Sequence, residues 1–197
     1  METFAKFEHE GWQRVAGKYD SVWASSTRQF IPPLLDAAEV TGSVSVLDVG
    51  CGPGYVAVAA AERGATSHGL DFSKEMVASH KKSFRILNFE KAMRKISLSQ
   101  MPPSEFRRVL ERVGFNGVSM FFKLHTVRWN VPSACYPFDA ERNAGVRTAG
   151  LLARQTSEKL RAIQLAIEKS VCRYAEGDSF SIPKGAYIIA VSKNAAF

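Results

Sequence analysis

The residues best placed to do chemistry are a run of glycines behind an acid, Val46-Leu47-Asp48-Val49-Gly50-Cys51-Gly52-Pro53-Gly54. Glycines at a strand end let the backbone turn tightly and admit a ligand where a Cβ would otherwise stand. A helix starting there offers unpaired N–H groups and a partial positive charge, which suit a carboxylate. An acid about 20 positions further on commonly bonds a ribose hydroxyl in such folds; Asp71 lies 21 residues after Gly50. A plain strand-to-helix turn accounts for the glycines alone but not for an acid at that spacing. The chemistry indicated is the binding of a nucleoside-bearing cofactor.

Other reactive side chains give weaker signals. Cys51 sits where a helix N-terminus could activate a thiol, but a small residue filling the turn is the simpler reading. His9, His68, His80 and His125 are the available imidazoles. His68 falls inside an expected strand, His80 beside a basic helix and His125 on an alternating strand, so each reads more simply as structural than as a general base. No catalytic residue is assigned. The three cysteines, Cys51, Cys135 and Cys172, lack the paired spacing of a zinc site or disulfide framework. That pattern, with no basic-then-apolar N-terminal leader and no apolar run near the ~20 residues a bilayer span requires, leads to the expectation of a reduced, cytoplasmic protein without a membrane or metal partner.

The elements that must position this loop follow from pattern. The 197 residues suit one domain. Within 1–43, Phe4, Phe7, Trp12, Val15, Tyr19 and Trp23 recur at helical spacing, and a further helix from Phe30 to Ala38 carries Pro32 and Pro33 in its first turn. In 44–85, Val44 to Val49 is a short β-branched run, Gly54 to Arg63 an alanine-rich helix ended by Gly64, Thr66 to Asp71 a second strand, and Ser73 the N-cap of a helix to about Phe84. Strand–helix–strand–helix predicts a parallel sheet with helical crossovers. Ile86 to Phe89 reads as a brief strand, Glu90 to Leu98 as helical, and Glu105 to Arg112 as an amphipathic helix capped by Ser104. In 113–197, Val118 to Val127 alternates as a strand, 130–147 reads as loop, Ser157 to Tyr174 as a helix with Leu160, Ile163, Ile167, Val171 and Tyr174 on one face, and Ala186 to Val191 as an apolar strand.

The dinucleotide fingerprint needs glycines at 50, 52 and 55, and position 55 is Tyr. The pattern present, Gly50-x-Gly52-x-Gly54 after Asp48, followed by Gly69-x-Asp71-x-Ser73-x-x-Met76, resembles class I S-adenosylmethionine-dependent methyltransferases. The resemblance implies a cofactor site in which Asp48, Gly50, Cys51, Gly52 and Gly54 form the methionine end, Asp71 meets the ribose hydroxyls, and Phe72 and Met76 lie near adenine. Tyr19-Asp20 is similar to the family's upstream Tyr-Asp element, whose aromatic ring covers the cofactor. The implied activity is methyl transfer from S-adenosylmethionine to a small-molecule acceptor. Trp129, Tyr136 and Phe138, with a helix over 151–175, are candidates to roof an apolar acceptor pocket, and a place in the core accounts for them equally well.

The resemblance is specific over residues 12–80 and returns from about 98, where Pro103 to Phe115 resembles the helix before the family's sixth strand, and Val118 to Thr126 and Ala186 to Ser192 its last two strands. Between them only Ile86 to Leu98 stands in for several strands and crossovers, although one strand–helix–strand unit takes ~30 residues. The expected fold is therefore α/β, a Rossmann-like, doubly wound and mostly parallel sheet, contracted by an internal deletion of central strands, with an extra C-terminal helical segment. In one form of that expectation the last two strands pair directly beside the first; uncovered strand edges then favour self-association.

Six of the seven net positive charges fall between Lys81 and Arg112, where nine Lys/Arg face three Glu. This basic seam, over 86–112, reads as a solvated helical face at the join more than as a nucleic-acid site, since no aromatic residues interleave regularly with the charges and no nucleic-acid motif accompanies them. The alternative to an enzyme is a non-catalytic fragment that binds S-adenosylmethionine or a nucleoside and acts through protein interaction.

Overall fold

A computed structural model of the chain describes residues 3–78, 86–88, 103–112 and 120–191. The chain begins with helix α1 (Phe4–Tyr19), opened by the Thr3 hydroxyl accepting the Lys6 N–H at 3.3 Å. A wide π-turn (Asp20–Ala24), a single turn α2 (Ser25–Thr27) and a 3₁₀ turn (Arg28–Phe30) lead into α3 (Ile31–Ala37), whose prolines occupy the first turn where no N–H is needed. Strand β1 (Ser45–Val49), helix α4 (Tyr55–Glu62), strand β2 (Thr66–Asp71), helix α5 (Lys74–Ala78) and strand β3 (Ile86–Asn88) follow.

These strands form a parallel sheet in the order β1-β2-β3, with Ser45 opposite Thr66, Val49 opposite Leu70 and Asp71 opposite Asn88. The two crossovers and the brief third strand are as the pattern predicts. Val46 turns toward the core made by Ile31, Leu35, Val40, Ala60 and Ala65. Alanines at the contact let α4 lie close to the strands, and Ala60 is wholly buried. Gly64, at φ +89°, ends this helix in the left-handed conformation its type suits.

Helix α6 (Pro103–Arg112) starts at Pro103, one residue before the expected cap. Strand β4 (Met120–Val131) is followed by α7 (Tyr136–Ala144), α8 (Arg147–Leu152), α9 (Ser157–Val171) with a 3₁₀ turn (Cys172–Tyr174), and strands β5 (Ala175–Glu176) and β6 (Ser179–Val191). The expected helix over 157–174 is present. The expected loop over 130–147 is not: β4 runs to Val131, and α7 occupies most of the remainder. Pro137 lies in the first turn of α7, where it removes no helical bond. The remaining sequence-predicted features, His80, the end of the helix at Phe84 and the helix over Glu90 to Leu98, lie outside the described residues.

The larger correction concerns the sheet. Among the described strands there is not one mostly parallel sheet with the last two strands beside the first, but two sheets. β4 and β6 pair antiparallel from Met120–Val191 to Val131–Phe180, with β5 on the outer end of β6. Two strands of 12 and 13 residues satisfy far more backbone in each other than either could along the five-residue edge of β1.

Helices bind the two sheets together. On one side of α1, Gln13 and His9 meet α5 and its approach. On the other, Glu8, 4% exposed, accepts two bonds from the Arg147 guanidinium at 2.9 and 3.2 Å. A Cβ on Gly11 would strike Val146, so α1 can approach this closely only with glycine there. Lys18 in the last turn of α1 and the Trp23 indole after it donate to the last carbonyls of α7, at Asn143 and Ala144, where positive and donor groups suit a helix C-terminus. Gln29 donates to the Arg128 carbonyl of β4 at 2.8 Å.

Candidate functional site

The glycine loop leaves β1 with Gly50, Gly52 and Gly54 all at positive φ, +77°, +52° and +84°. Side chains at these positions would be strained, and at Gly50 and Gly54 the space a Cβ would fill is open. The loop is pinned from behind: Gly50 N–H and Cys51 N–H both donate to the Leu70 carbonyl, at 2.6 and 3.1 Å, and Gly54 N–H to the Cys51 carbonyl at 2.8 Å.

Asp71 organises the loop from β2. Its 6% exposed carboxylate accepts the Gly52 N–H at 2.7 Å on Oδ2 and the Ser73 N–H at 2.8 Å on Oδ1. A carboxylate has about four acceptor positions, so both oxygens retain capacity after these bonds. Ser73, fully buried, caps α5 by accepting the Met76 N–H at 3.2 Å, as its residue type predicts. Gln13 Oε1 joins this cap, accepting from the Ser73 hydroxyl at 2.6 Å and the Glu75 N–H at 3.0 Å. Nothing in the sequence points to Gln13, because its partners are some 60 residues away and polar contacts across that separation have no local signature.

Asp48 and Cys51 lie beneath the loop. Asp48 is bonded by the Ala57 N–H of α4, while its Oδ2 is buried with no partner among the described residues. Burial, together with the nearby Asp71 charge, holds the Asp48 carboxyl above the usual carboxylate range, with the Ala57 bond opposing. Burial and the same two acids push the Cys51 thiol up to about 12, so it remains a neutral thiol and fills the turn.

Of the remaining predicted residues, Met76 meets the loop directly. Met76, buried, places its methyl against Gly52. Phe72 is half-buried with its ring 5.6 Å from that of His9. Tyr19 is half-buried at the end of α1, and Asp20 after it shares a cleft with Tyr55, the residue following Gly54. Trp129, Tyr136 and Phe138 are core residues: Trp129 stacks on Trp23 at 5.4 Å and meets Tyr136 edge-on at 6.0 Å, and Phe138 is 2% exposed. The Lys184 ammonium lies 4.7 and 4.8 Å from the two tryptophan rings. Burial there lowers its pKa, against the opposing charge of Glu141. A separate open groove of about 830 Å³ runs between α3 and the second sheet, past Leu34, Lys123, His125 and Ile189; no residue of the glycine loop lines it.

An acid bonded to a glycine loop at the carboxyl ends of parallel strands is an arrangement found in Rossmann-like α/β folds. Residues 46–135 match the family described as methyltransferase domain. Nocamycin O-methyltransferase of Saccharothrix syringae is 41% identical over 69 residues, 34% of this chain and 25% of that protein. An uncharacterized protein of Haemophilus influenzae is 36% identical over 66 residues, again 34% of this chain and 25% of the relative. Each match thus spans about a quarter of the relative's length. Residues 46–135 are thus similar to methyltransferase domains. No helix among the described residues is long and apolar enough to cross a membrane.

Proposed function

We propose that the chain binds S-adenosylmethionine and transfers its methyl group to a small-molecule acceptor. The observation carrying this reading is the bond from Gly52 N–H to Asp71, which fastens three positive-φ glycines to a buried acid with spare acceptor capacity. The open space at Gly50 and Gly54, and the unpartnered Asp48 oxygen beneath them, are features of a loop shaped for a ligand more than for its own stability. In this reading Gly50, Cys51, Gly52 and Gly54 border the methionine end, Asp71 takes the ribose hydroxyls, and Phe72, Met76 and Tyr19 enclose the remainder. The sulfonium supplies an already activated methyl group, so the chain's own task is positioning and exclusion of water, and no dedicated base is required.

Isothermal titration of S-adenosylmethionine into the chain tests the reading: saturable heat is expected, and its absence up to millimolar cofactor rejects it. Asp71→Ala should weaken binding by about 100-fold or more, because it removes both the ribose acceptor and the anchor of the loop. Unchanged affinity would overturn the ribose assignment.

A second reading, a non-catalytic cofactor-binding protein acting through protein contacts, is favoured by one observation. Leu47 and Val49 of β1 stand 59% and 70% exposed, an apolar strand face that a partner or a second copy could cover. Transfer of labelled methyl groups to a panel of small acceptors separates the two readings; cofactor binding without transfer supports the second.

A further inference from the structure

Helix α1 meets the turn after Asp71 at two points that lie one helical turn apart on the same face. His9 sets its ring 5.6 Å from that of Phe72, and Gln13 reaches the start of α5. The Glu75 N–H can only donate, so the Gln13 atom 3.0 Å from it is the amide oxygen; the same oxygen accepts the Ser73 hydroxyl at 2.6 Å. Ser73 is fully buried, and its hydroxyl oxygen already takes the Met76 N–H, so its one proton depends on Gln13. The Ser73 N–H donates in turn to Asp71 Oδ1, and Asp71 Oδ2 accepts the Gly52 N–H. A line of hydrogen bonds thus runs from α1 through Ser73 and Asp71 to the glycine loop.

We propose that Gln13 is a positioning residue for the ligand held by Asp71, fixing the turn that aims the carboxylate without taking the ligand itself; this rests on the reading above in which Asp71 meets the ribose hydroxyls. Two neighbouring hydroxyls must be met from one direction, so a carboxylate serves them well only when it cannot rotate. The Gly52 bond fixes one Asp71 oxygen, and the Ser73 N–H supplies the second point that stops rotation. Ser73 keeps its place because Gln13 gives its buried hydroxyl an acceptor. Without that acceptor the proton is buried unpaired, a cost relieved when the turn shifts toward water. The other side of α1 is held separately, by Glu8 on Arg147 and by Gly11 against Val146, so Gln13 acts from a firm base.

Titration of the full chain with S-adenosylmethionine and with its 2′,3′-dideoxy analogue, which lacks the hydroxyls in question, tests this. Gln13→Met keeps the side chain's length but removes the acceptor. It should weaken S-adenosylmethionine by about 10-fold, the scale of one hydrogen bond, and change the dideoxy analogue by less than about twofold. Gln13→Glu keeps an acceptor oxygen at the same reach and should bind both ligands as the parent does. A residue that served stability alone would not discriminate between the ligands; circular-dichroism melting of each variant shows that the fold is retained. A second measurement needs no variant: because coupling is reciprocal, saturating S-adenosylmethionine should slow hydrogen exchange in α1 around Gln13. No slowing there overturns the proposal. So does a parent that prefers the hydroxyl-bearing ligand while Gln13→Met weakens both ligands equally or neither, and the cofactor reading then stands. If the parent binds the two ligands equally, the ribose assignment of Asp71 falls and takes the proposal with it; if it binds neither, the cofactor reading falls as well.

Discussion

The two sheets differ in what closes them. In the parallel sheet, β1 is five residues long, one face meets small alanines of α4, and Leu47 and Val49 on the other face are exposed. In the antiparallel sheet, β4 is 12 residues long and its inner face buries Trp129 and Val131 against Trp23, Tyr136 and Ala140. The first region ends its strands in an open loop of positive-φ glycines above an acid that burial disfavours as an anion; the second commits its residues to aromatic packing. Regions that receive ligands are drawn from the less stable parts of a fold, so backbone amides of β1 and β2 should exchange with deuterium sooner than those of β4 and β6.

The severest way to break that contrast is Trp129→Ala. Removing a buried tryptophan costs about 3–5 kcal/mol, here with the loss of the Trp23 stack and one face of the Lys184 contact. The melting midpoint should fall by about 10 °C, and the advantage of β4 and β6 in hydrogen exchange should shrink. A fall below 3 °C would mean that the aromatic cluster is not what distinguishes this half.

Glu8→Ala tests the bond between the halves. The carboxylate is buried and hydrogen-bonded by Arg147, whose pKa it raises mainly through that bond. Arg147 is partly exposed, so water screens the pair and the loss should be about 1–3 kcal/mol. Because α1 touches both regions, β1–β2 and β4–β6 should lose protection together in hydrogen exchange; loss confined to one would show that α1 does not couple them.

The smallest effect sharpens the contrast within the parallel half. Since the folded Asp48 carboxyl has a raised pKa, the folded chain holds this proton more tightly than the unfolded chain does. Its ionisation is therefore harmless below about pH 4 and erodes stability as pH rises through the carboxylate range to the raised folded value. Asp48→Asn removes that loss, so the variant should gain on the parent in melting midpoint between pH 4 and pH 7. A gap that narrows with rising pH would contradict the burial of this acid.

Much of the parallel half was legible in sequence, for a physical reason. Its determinants are local: a β-branched run, glycines that only a left-handed turn requires, Ser73 at a cap, Asp71 at the end of the next strand. The same holds for α9, whose apolar positions recur within one helix. The antiparallel half was less legible. α7 falls in a stretch that reads as loop, although its Pro137 and Gly145 stand only at its two ends, and the pairing of β4 with β6 joins residues more than 45 positions apart. Edge preference between distant strands is set by the total backbone satisfied, which no local window contains.

The amino-acid sequence by itself determined the glycine loop and the acid bonded to it, because each depends on residue types within one strand–helix–strand unit. Only the tertiary structure decided that the C-terminal strands form a sheet of their own and that Gln13 completes the α5 cap. Those outcomes depend on which distant surfaces fill each other's space and hydrogen-bonding capacity, a competition that is settled only when the whole chain packs.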